Sequence, residues 1–289
     1  MLLLNDKLVE LGGFPDGTLL MKQTPCGDDA ALSWYYDNDR ELVALIYLTK
    51  HLKAHGVKRI SLFMPYIPNA RQDRVKSDED IFTLKYFAEI INSLAFDRVE
   101  VLDPHSTVSE ALIDRISIST PRDNVARVIS EIEAAEGEKP FMFYPDEGAS
   151  KRYSGMVELP YAFGIKKRDW KTGRIEGLDV SGDGMSAKPV LIVDDICSKG
   201  GTFLFSAKKL KELGAGNIYL YVSHCERSIL DGELINSGLL KQIFTTDSIW
   251  RGENELIKVI PSKATPHKDC AQIAPSDFSL DCTNSTQTG

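Results

Sequence analysis

The sequence predicts an α/β fold made of largely parallel sheets flanked by helices, and three observations predict it. Short apolar runs recur along the 289 residues, each too brief for a helix and each bounded by turn-forming or charged residues. Between them lie segments whose apolar residues follow helical spacing. Residues suited to binding ligands cluster just after the apolar runs, where parallel strands would present them at their carboxyl ends.

Taken in order, residues 1–4, 8–14, 18–23 and 30–36 read as short strands, with Pro15-Asp16-Gly17 as a turn between two of them. Residues 41–55 carry Leu42, Leu45, Ile46, Leu48 and Leu52 at helical spacing, and 59–64 reads as a strand. The expected order beyond is helix 81–94, strand 98–102, helix 125–135, strand 141–144, strand 161–165, strand 190–193, helix 203–213, strand 218–223 and strand 242–245. A charged connection at Gly137 to Pro140 sets the expected boundary between an N-terminal α/β domain (1–137) and a second one (138–260). Residues 261–289 are rich in Ser, Thr, Asp and Pro without periodicity, and read as a polar, disordered tail.

The formal charge of -8 argues against nucleic acid or an anionic membrane as the main partner, since both reward net positive charge. An anionic substrate would then need a local basic cluster or a metal ion. No apolar run approaches the roughly 20 residues of a membrane span, and MLLLNDKLVE has no basic region with a cleavage site. The five cysteines are scattered and lack metal-ligand spacing, as expected of a protein in a reduced, cytoplasmic compartment.

The most informative stretch is Val190 to Thr202, VLIVDDICSKGGT. A buried parallel strand is expected to stop at the carboxylates of Asp194 and Asp195, which can accept hydrogen bonds from vicinal sugar hydroxyls. Ser198, Lys199, Gly200, Gly201 and Thr202 then form a small-residue loop at a helix N-terminus, where backbone N–H groups can approach a phosphate. The alternative is a βα turn with a solvated acidic pair. Cys197 reads as a small packing residue under the loop.

Four further stretches carry chemistry. Arg71-Gln72-Asp73-Arg74 lies in a proline-bearing loop after strand 59–64, and arginine suits a phosphate or a purine face. His105 follows strand 98–102. Asp146, Gly148 and Ala149 repeat the pattern of strand, acidic residue and small-residue turn, with Asp146 a candidate magnesium ligand. Lys166-Lys167-Arg168 puts cations at a strand end; read alone, such a cluster is a solvated face.

The stretch 190–202 resembles the phosphoribosyl-pyrophosphate fingerprint shared by type I phosphoribosyltransferases and ribose-phosphate pyrophosphokinases, with Ser198-Lys199 where the latter usually have Asp-Thr. Ala-Arg-Gln-Asp-Arg, 70–74, resembles the ATP loop of the pyrophosphokinases, which the transferases lack. The resemblance implies two phosphoribosyltransferase-like domains and an Mg²⁺-dependent transfer of the β,γ-diphosphate of ATP to the anomeric hydroxyl of ribose 5-phosphate, or of a 5-substituted acceptor such as ADP-ribose. It implies Arg71, Gln72, Asp73 and His105 at ATP, His105 and Asp146 at the metal, and Asp194, Asp195 and the 198–202 loop at the sugar phosphate. Asp146, Gly148 and Ala149 resemble a pyrophosphate loop, with Ala149 in place of a second glycine. Lys166 and Arg168 match a lysine and an arginine of a catalytic loop, and Pro104 replaces a leucine before His105. Phe14-Pro15-Asp16-Gly17-Thr18 is similar to a turn whose aromatic and acidic residues, here Phe14 and Asp16, reach adenine in a neighbouring subunit, which implies a homo-oligomer (dimer or hexamer) with shared sites. A type I phosphoribosyltransferase predicts no ATP loop, and an inactive regulatory subunit predicts loss of Lys166 and Arg168.

Overall fold

A computed structural model describes residues 1–23, 27–168 and 175–263, with only the backbone described for 166–168 and 175–177. The first half forms β1 (Leu2–Leu4), β2 (Lys7–Leu8), β3 (Gly12–Gly13), β4 (Leu19–Leu20), β5 (Asp29–Trp34), α1 (Asp39–Ala54), β6 (Arg59–Phe63), α2 (Thr83–Ser93), β7 (Arg98–Leu102), α3 (Val108–Leu112), β8 (Ile116–Ser119) and α4 (Arg122–Glu136). The second half forms β9 (Phe141–Tyr144), α5 (Glu147–Tyr153), β10 (Tyr161–Arg168), β11 (Ile175–Ser181), β12 (Val190–Cys197), α6 (Gly201–Glu212), β13 (Ile218–Cys225), β14 (Gln242–Thr246) and β15 (Ile257–Ile260). Two 3₁₀ turns, Arg227–Asp231 and Leu234–Asn236, separate β13 from β14.

The strands make two large sheets. The first runs β2-β1-β5-β6-β7-β8, parallel from β5 to β8 and antiparallel at β1 and β2. The second runs β11-β10-β9-β12-β13-β14-β15, parallel except for the edge pair β10–β11. Alternation along its central strands decides which helix covers which face. Val190, Ile192, Ile218 and Leu220 face α6, whose Phe203, Ala207 and Leu210 meet them. Leu191, Val193, Tyr219 and Tyr221 face the opposite way, against Val125, Val128 and Ile132 of α4 and Tyr153 of α5. The apolar side of α4 therefore packs on the second sheet, although the helix precedes the Gly137–Pro140 connection. In the first sheet Leu45, Leu48 and Leu52 of α1 and Leu84, Phe87 and Ile91 of α2 join a separate core.

Several boundaries depart from expectation. The strand expected to stop before Asp194 continues to Cys197, because β13 offers backbone partners as far as Cys225. The N-terminal strands 8–14 and 18–23 shrink to two-residue pieces, since their apolar residues have little sheet to lie against. Residues 116–119, 175–181 and 257–260, not expected as strands, form edge strands of the two sheets. Residues 264–289 of the expected tail lie outside the described residues.

The carboxyl ends of the two sheets face each other, pinned by His224 of β13. Its Nε2–H reaches the carbonyls of Leu102 (3.1 Å) and Asp103 (3.2 Å), Nδ1 faces the Ser248 hydroxyl (2.8 Å), and the Tyr66 ring stands edge-on at 5.2 Å. Burial lowers its pKa from 6.5 to about 4, so it is held neutral. An unfolded histidine takes up a proton that the folded one refuses. Stability is therefore full above about pH 6.5 and falls toward pH 4, with this group contributing about 1.4 kcal/mol per pH unit. Urea unfolding across that range is expected to show this loss, and His224→Gln, which cannot titrate, to flatten the slope while lowering stability at neutral pH.

Candidate active site

Between the facing strand ends lies a cavity of about 670 Å³ that gathers residues from both halves. Arg71 and His105 enter from the first sheet's loops; Asp146, Gly148 and Ala149 come from the start of α5 and Arg152 from its last turn; Asp194, Asp195 and the whole 198–202 loop come from β12 and the start of α6.

The loop geometry follows from its glycines. Gly200 has φ +78° and caps α6, and a Cβ there would lie 2.6 Å from Leu234 Cδ2. From the other side, a Cβ at Gly232 would fall 2.0 Å from the Lys199 carbonyl oxygen. The loop is thus seated on the two 3₁₀ turns with no room for side chains between them. The helix begins at Gly201, two residues before its expected start, which brings its unpaired N–H groups to the loop. Cys197 is buried and packs below, as read from the sequence, opposite the buried Cys225 on β13.

Asp195 is the centre of the charge arrangement. Its Oδ2 accepts from Arg152 Nη1 at 2.6 Å and from His105 Nδ1 at 2.9 Å, and its side chain is 6% exposed. Burial pushes its carboxyl upward, but His105, by hydrogen bond and charge, and the Arg152 guanidinium outweigh this and hold it below the ordinary value. The same hydrogen bond raises the His105 imidazole against the opposing effect of burial. With Nδ1 committed, Nε2 is the ring nitrogen left for a ligand. Arg152 also donates to the His105 carbonyl (2.9 Å), so it fixes both the ring's loop and its partner. Asp194 is half-buried, and its Oδ1 accepts from the Asp195 backbone N–H at 2.9 Å.

Behind this row sits Asp103, buried at φ +41° and bonded by the hydroxyls of Tyr153 and Ser223. Burial pushes its carboxyl up to about 7. Asp146 caps α5, accepting from the Ala149 N–H at 3.0 Å, so the pyrophosphate loop predicted from the sequence is a helix N-terminus with a carboxylate at its mouth. Among the described residues no group of three or more His, Cys, Asp or Glu side chains forms a metal cage. Of the cavity's three carboxylates, Asp146, Asp194 and Asp195, and its one imidazole, His105, it is Asp146 and His105 that could help hold a Mg²⁺ ion whose other ligands are water or bound oxygens.

The remaining sequence-predicted residues are placed as follows. Arg71 Nη1 donates to Ser198 Oγ (2.9 Å) and Glu226 Oε1 (2.6 Å), joining the predicted ATP loop to the predicted sugar-phosphate loop. Gln72 accepts from Thr83 Oγ1, and Asp73 is chelated by Arg74 and bonded by Ser106 Oγ, which holds its carboxyl down at about 2. Both stabilise the loop and neither lines the cavity. Phe14 and Asp16 lie in an exposed β3–β4 turn, also off the cavity. The side chains of Lys166 and Arg168 lie outside the described residues; their backbone ends β10.

Sequence reading gives no role to Asp103, Tyr153, His224 or Glu226. Lys151-Arg152 reads as a pair of cations in the helix after the Asp146 turn; they fall in the last turn of α5, and the partner of Arg152 is 43 residues away.

This fold and site define a class, phosphoribosyltransferase-like α/β proteins with two facing units. A crystal structure of phosphoribosylpyrophosphate synthetase from Mycobacterium smegmatis superposes with a TM-score of 0.72 over 88% of this chain and 86% of that one, at 20% identity. No protein-family model matches the sequence. The ribose-phosphate pyrophosphokinase of Thermococcus kodakarensis is 30% identical over 221 residues, covering 75% of this chain and 77% of the relative. That of Sulfolobus acidocaldarius is 27% identical over 265 residues, 88% and 89% of the two chains. The chain belongs to the ribose-phosphate pyrophosphokinase family.

Removing one partner of a buried ion pair strands the other charge. Arg152→Ala is expected to lower the free energy of unfolding in urea at pH 7 by about 2–3 kcal/mol, below the full buried-pair range because Arg152 is 31% exposed. Adding Asp195→Asn should recover part of that loss.

Proposed function

We propose that the protein transfers the β,γ-diphosphate of ATP to the anomeric hydroxyl of ribose 5-phosphate, releasing AMP. The observation that carries this reading is the meeting, on one cavity, of a sugar-phosphate loop, a second helix N-terminus and an arginine of the 65–75 loop. A phosphoribosyltransferase would need no nucleotide loop opposite the sugar site, and Arg71 stands there.

In this mechanism Asp194 accepts hydrogen bonds from the ribose hydroxyls, and the N–H groups at the start of α6 take the 5-phosphate. Asp195, whose Oδ2 is bonded by both Arg152 and His105, is held in place by them and offers its other oxygen, Oδ1, to the sugar. Arg71 and the N-terminus of α5 orient the nucleotide phosphates. The anomeric hydroxyl oxygen forms a bond to the β-phosphorus as the bond from that phosphorus to the α–β bridging oxygen breaks; the electron pair leaves on the phosphate of AMP, and the hydroxyl proton passes to that departing phosphate or to water. Lys166 and Arg168 neutralise charge on the transferring group, and positioning supplies the rest of the rate. Mg²⁺, held by Asp146 and His105 together with the phosphates, would screen the same charge.

A second acceptor, a 5-substituted ribose such as ADP-ribose, is favoured by one observation. Lys199 is an exposed residue of the loop itself, so a cation stands where the resemblance leads one to expect a threonine hydroxyl donor to a terminal phosphate.

Purified protein with Mg²⁺ and ATP is expected to form AMP in the presence of ribose 5-phosphate or ADP-ribose, with the diphosphorylated sugar identified by mass and the reaction abolished by EDTA. AMP formation with neither acceptor would overturn the assignment. Asp194→Asn should lower kcat/KM for the acceptor by about 10- to 100-fold, as expected for lost hydrogen bonds to a charged group, with KM for ATP little changed.

A further inference from the structure

Glu226 lies just past β13, and nothing in the fingerprint or the nucleotide loop calls for a carboxylate at that point. Its backbone N–H donates to the Cys197 carbonyl at 2.8 Å, which fixes it at the root of the sugar-phosphate loop. Its carboxylate is held at both oxygens: Ser228 Oγ donates to Oε2 at 3.1 Å, and Arg71 Nη1 donates to Oε1 at 2.6 Å. The same Nη1 reaches Ser198 Oγ. The remaining N–H groups of Arg71 make no hydrogen bond to any described residue, and Arg71 lines the cavity.

A carboxylate beside an arginine meant for polyphosphate has two opposite effects. It offsets positive charge, and it removes the rotational freedom of a long side chain. Arg71 is 53% exposed and Glu226 28%, so water screens the charge effect heavily. The orienting effect is not screened, because it is set by a short charge-assisted hydrogen bond with fixed direction. Orientation therefore outweighs charge.

We propose that Glu226 is a positioning residue for nucleotide: it reaches from the second sheet to hold Arg71 of the first in the geometry that receives the phosphates of ATP. This rests on the reading of Arg71 as an ATP ligand. The contact also makes nucleotide affinity depend on the two halves being docked, since neither half contains both partners.

The test is a double-mutant cycle read by calorimetric titration of the α,β-methylene analogue of ATP with Mg²⁺, whose bridge cannot be cleaved. Glu226→Gln is expected to weaken binding roughly five- to tenfold, the loss of one charge-assisted hydrogen bond at a half-exposed site. Glu226→Asp should fall between it and wild type, and Arg71→Ala should lose more. The double variant Arg71→Ala/Glu226→Gln should bind no worse than Arg71→Ala alone. In turnover, Glu226→Gln should raise KM for ATP by a similar factor with kcat within about twofold. Binding by Glu226→Gln equal to wild type, tighter binding, or losses that multiply with Arg71→Ala would each overturn the proposal. If Glu226→Gln fails to fold, Glu226→Asp carries the same comparison. Wild-type protein that binds no analogue would overturn the ATP reading and this proposal together, whereas wild-type binding unaffected by the variants overturns only the role of Glu226.

Discussion

A single carboxylate oxygen, Asp195 Oδ2, ties together three segments that the chain sequence keeps far apart. Arg152 arrives from α5 and His105 from the loop after β7, and both converge on it at hydrogen-bond distance. An ionised group buried to this extent is tolerable only with partners of opposite charge and good geometry. That requirement draws the last turn of α5 and the His105 loop onto the end of β12, and the cavity is the space they leave. Asp103, Tyr153, Ser223 and His224 repeat the device one layer deeper, with a hydrogen bond taking up each polar group at the junction.

The scaffold around this clasp is ordinary parallel-sheet physics. Strands β9, β12 and β13 are buried on both faces, so their sequences are nearly continuous apolar runs, and helices cover both sides. Because β12 keeps its ladder through Asp194 and Asp195, the two carboxylates are presented by a hydrogen-bonded strand and not by a mobile loop. Adjacent strand residues alternate in direction. The pair therefore differs in surroundings, with Asp195 buried in the clasp and Asp194 half-buried, although both line the cavity.

Much of this was legible in the residues themselves. The alternation of apolar runs with helical segments gave the α/β class, and the acidic pair, the glycines and the Asp146 turn marked three walls of the cavity, because each is a local pattern of strand end, small residue and helix start. What local pattern cannot carry is partnership. Arg152, His224 and Glu226 act on residues 43, 122 and 155 positions away, and only the folded sheets bring them together. Edge strands such as 116–119 were missed because half-exposed strands are short and mixed in polarity. The extension of β12 past its carboxylates was missed because burying charge in a ladder is unfavourable until the clasp is known. Gln72 and Asp73 sit in the expected loop but are turned toward Thr83 and Ser106, a distinction that sequence proximity to Arg71 conceals.

The seating of the 198–202 loop has a further meaning for how this site can diversify. Gly232 meets the Lys199 carbonyl, and Gly200 meets Leu234, so loop and 3₁₀ turns are shaped as two halves of one mould. A change in the backbone shape of the loop cannot then be made on the loop alone. Any substitution that reshapes it must be matched on a segment some thirty residues downstream. Relatives whose loops differ in backbone shape would thus be expected to vary at both places in concert, and exchanging only one of them between relatives would yield a chain that fits neither.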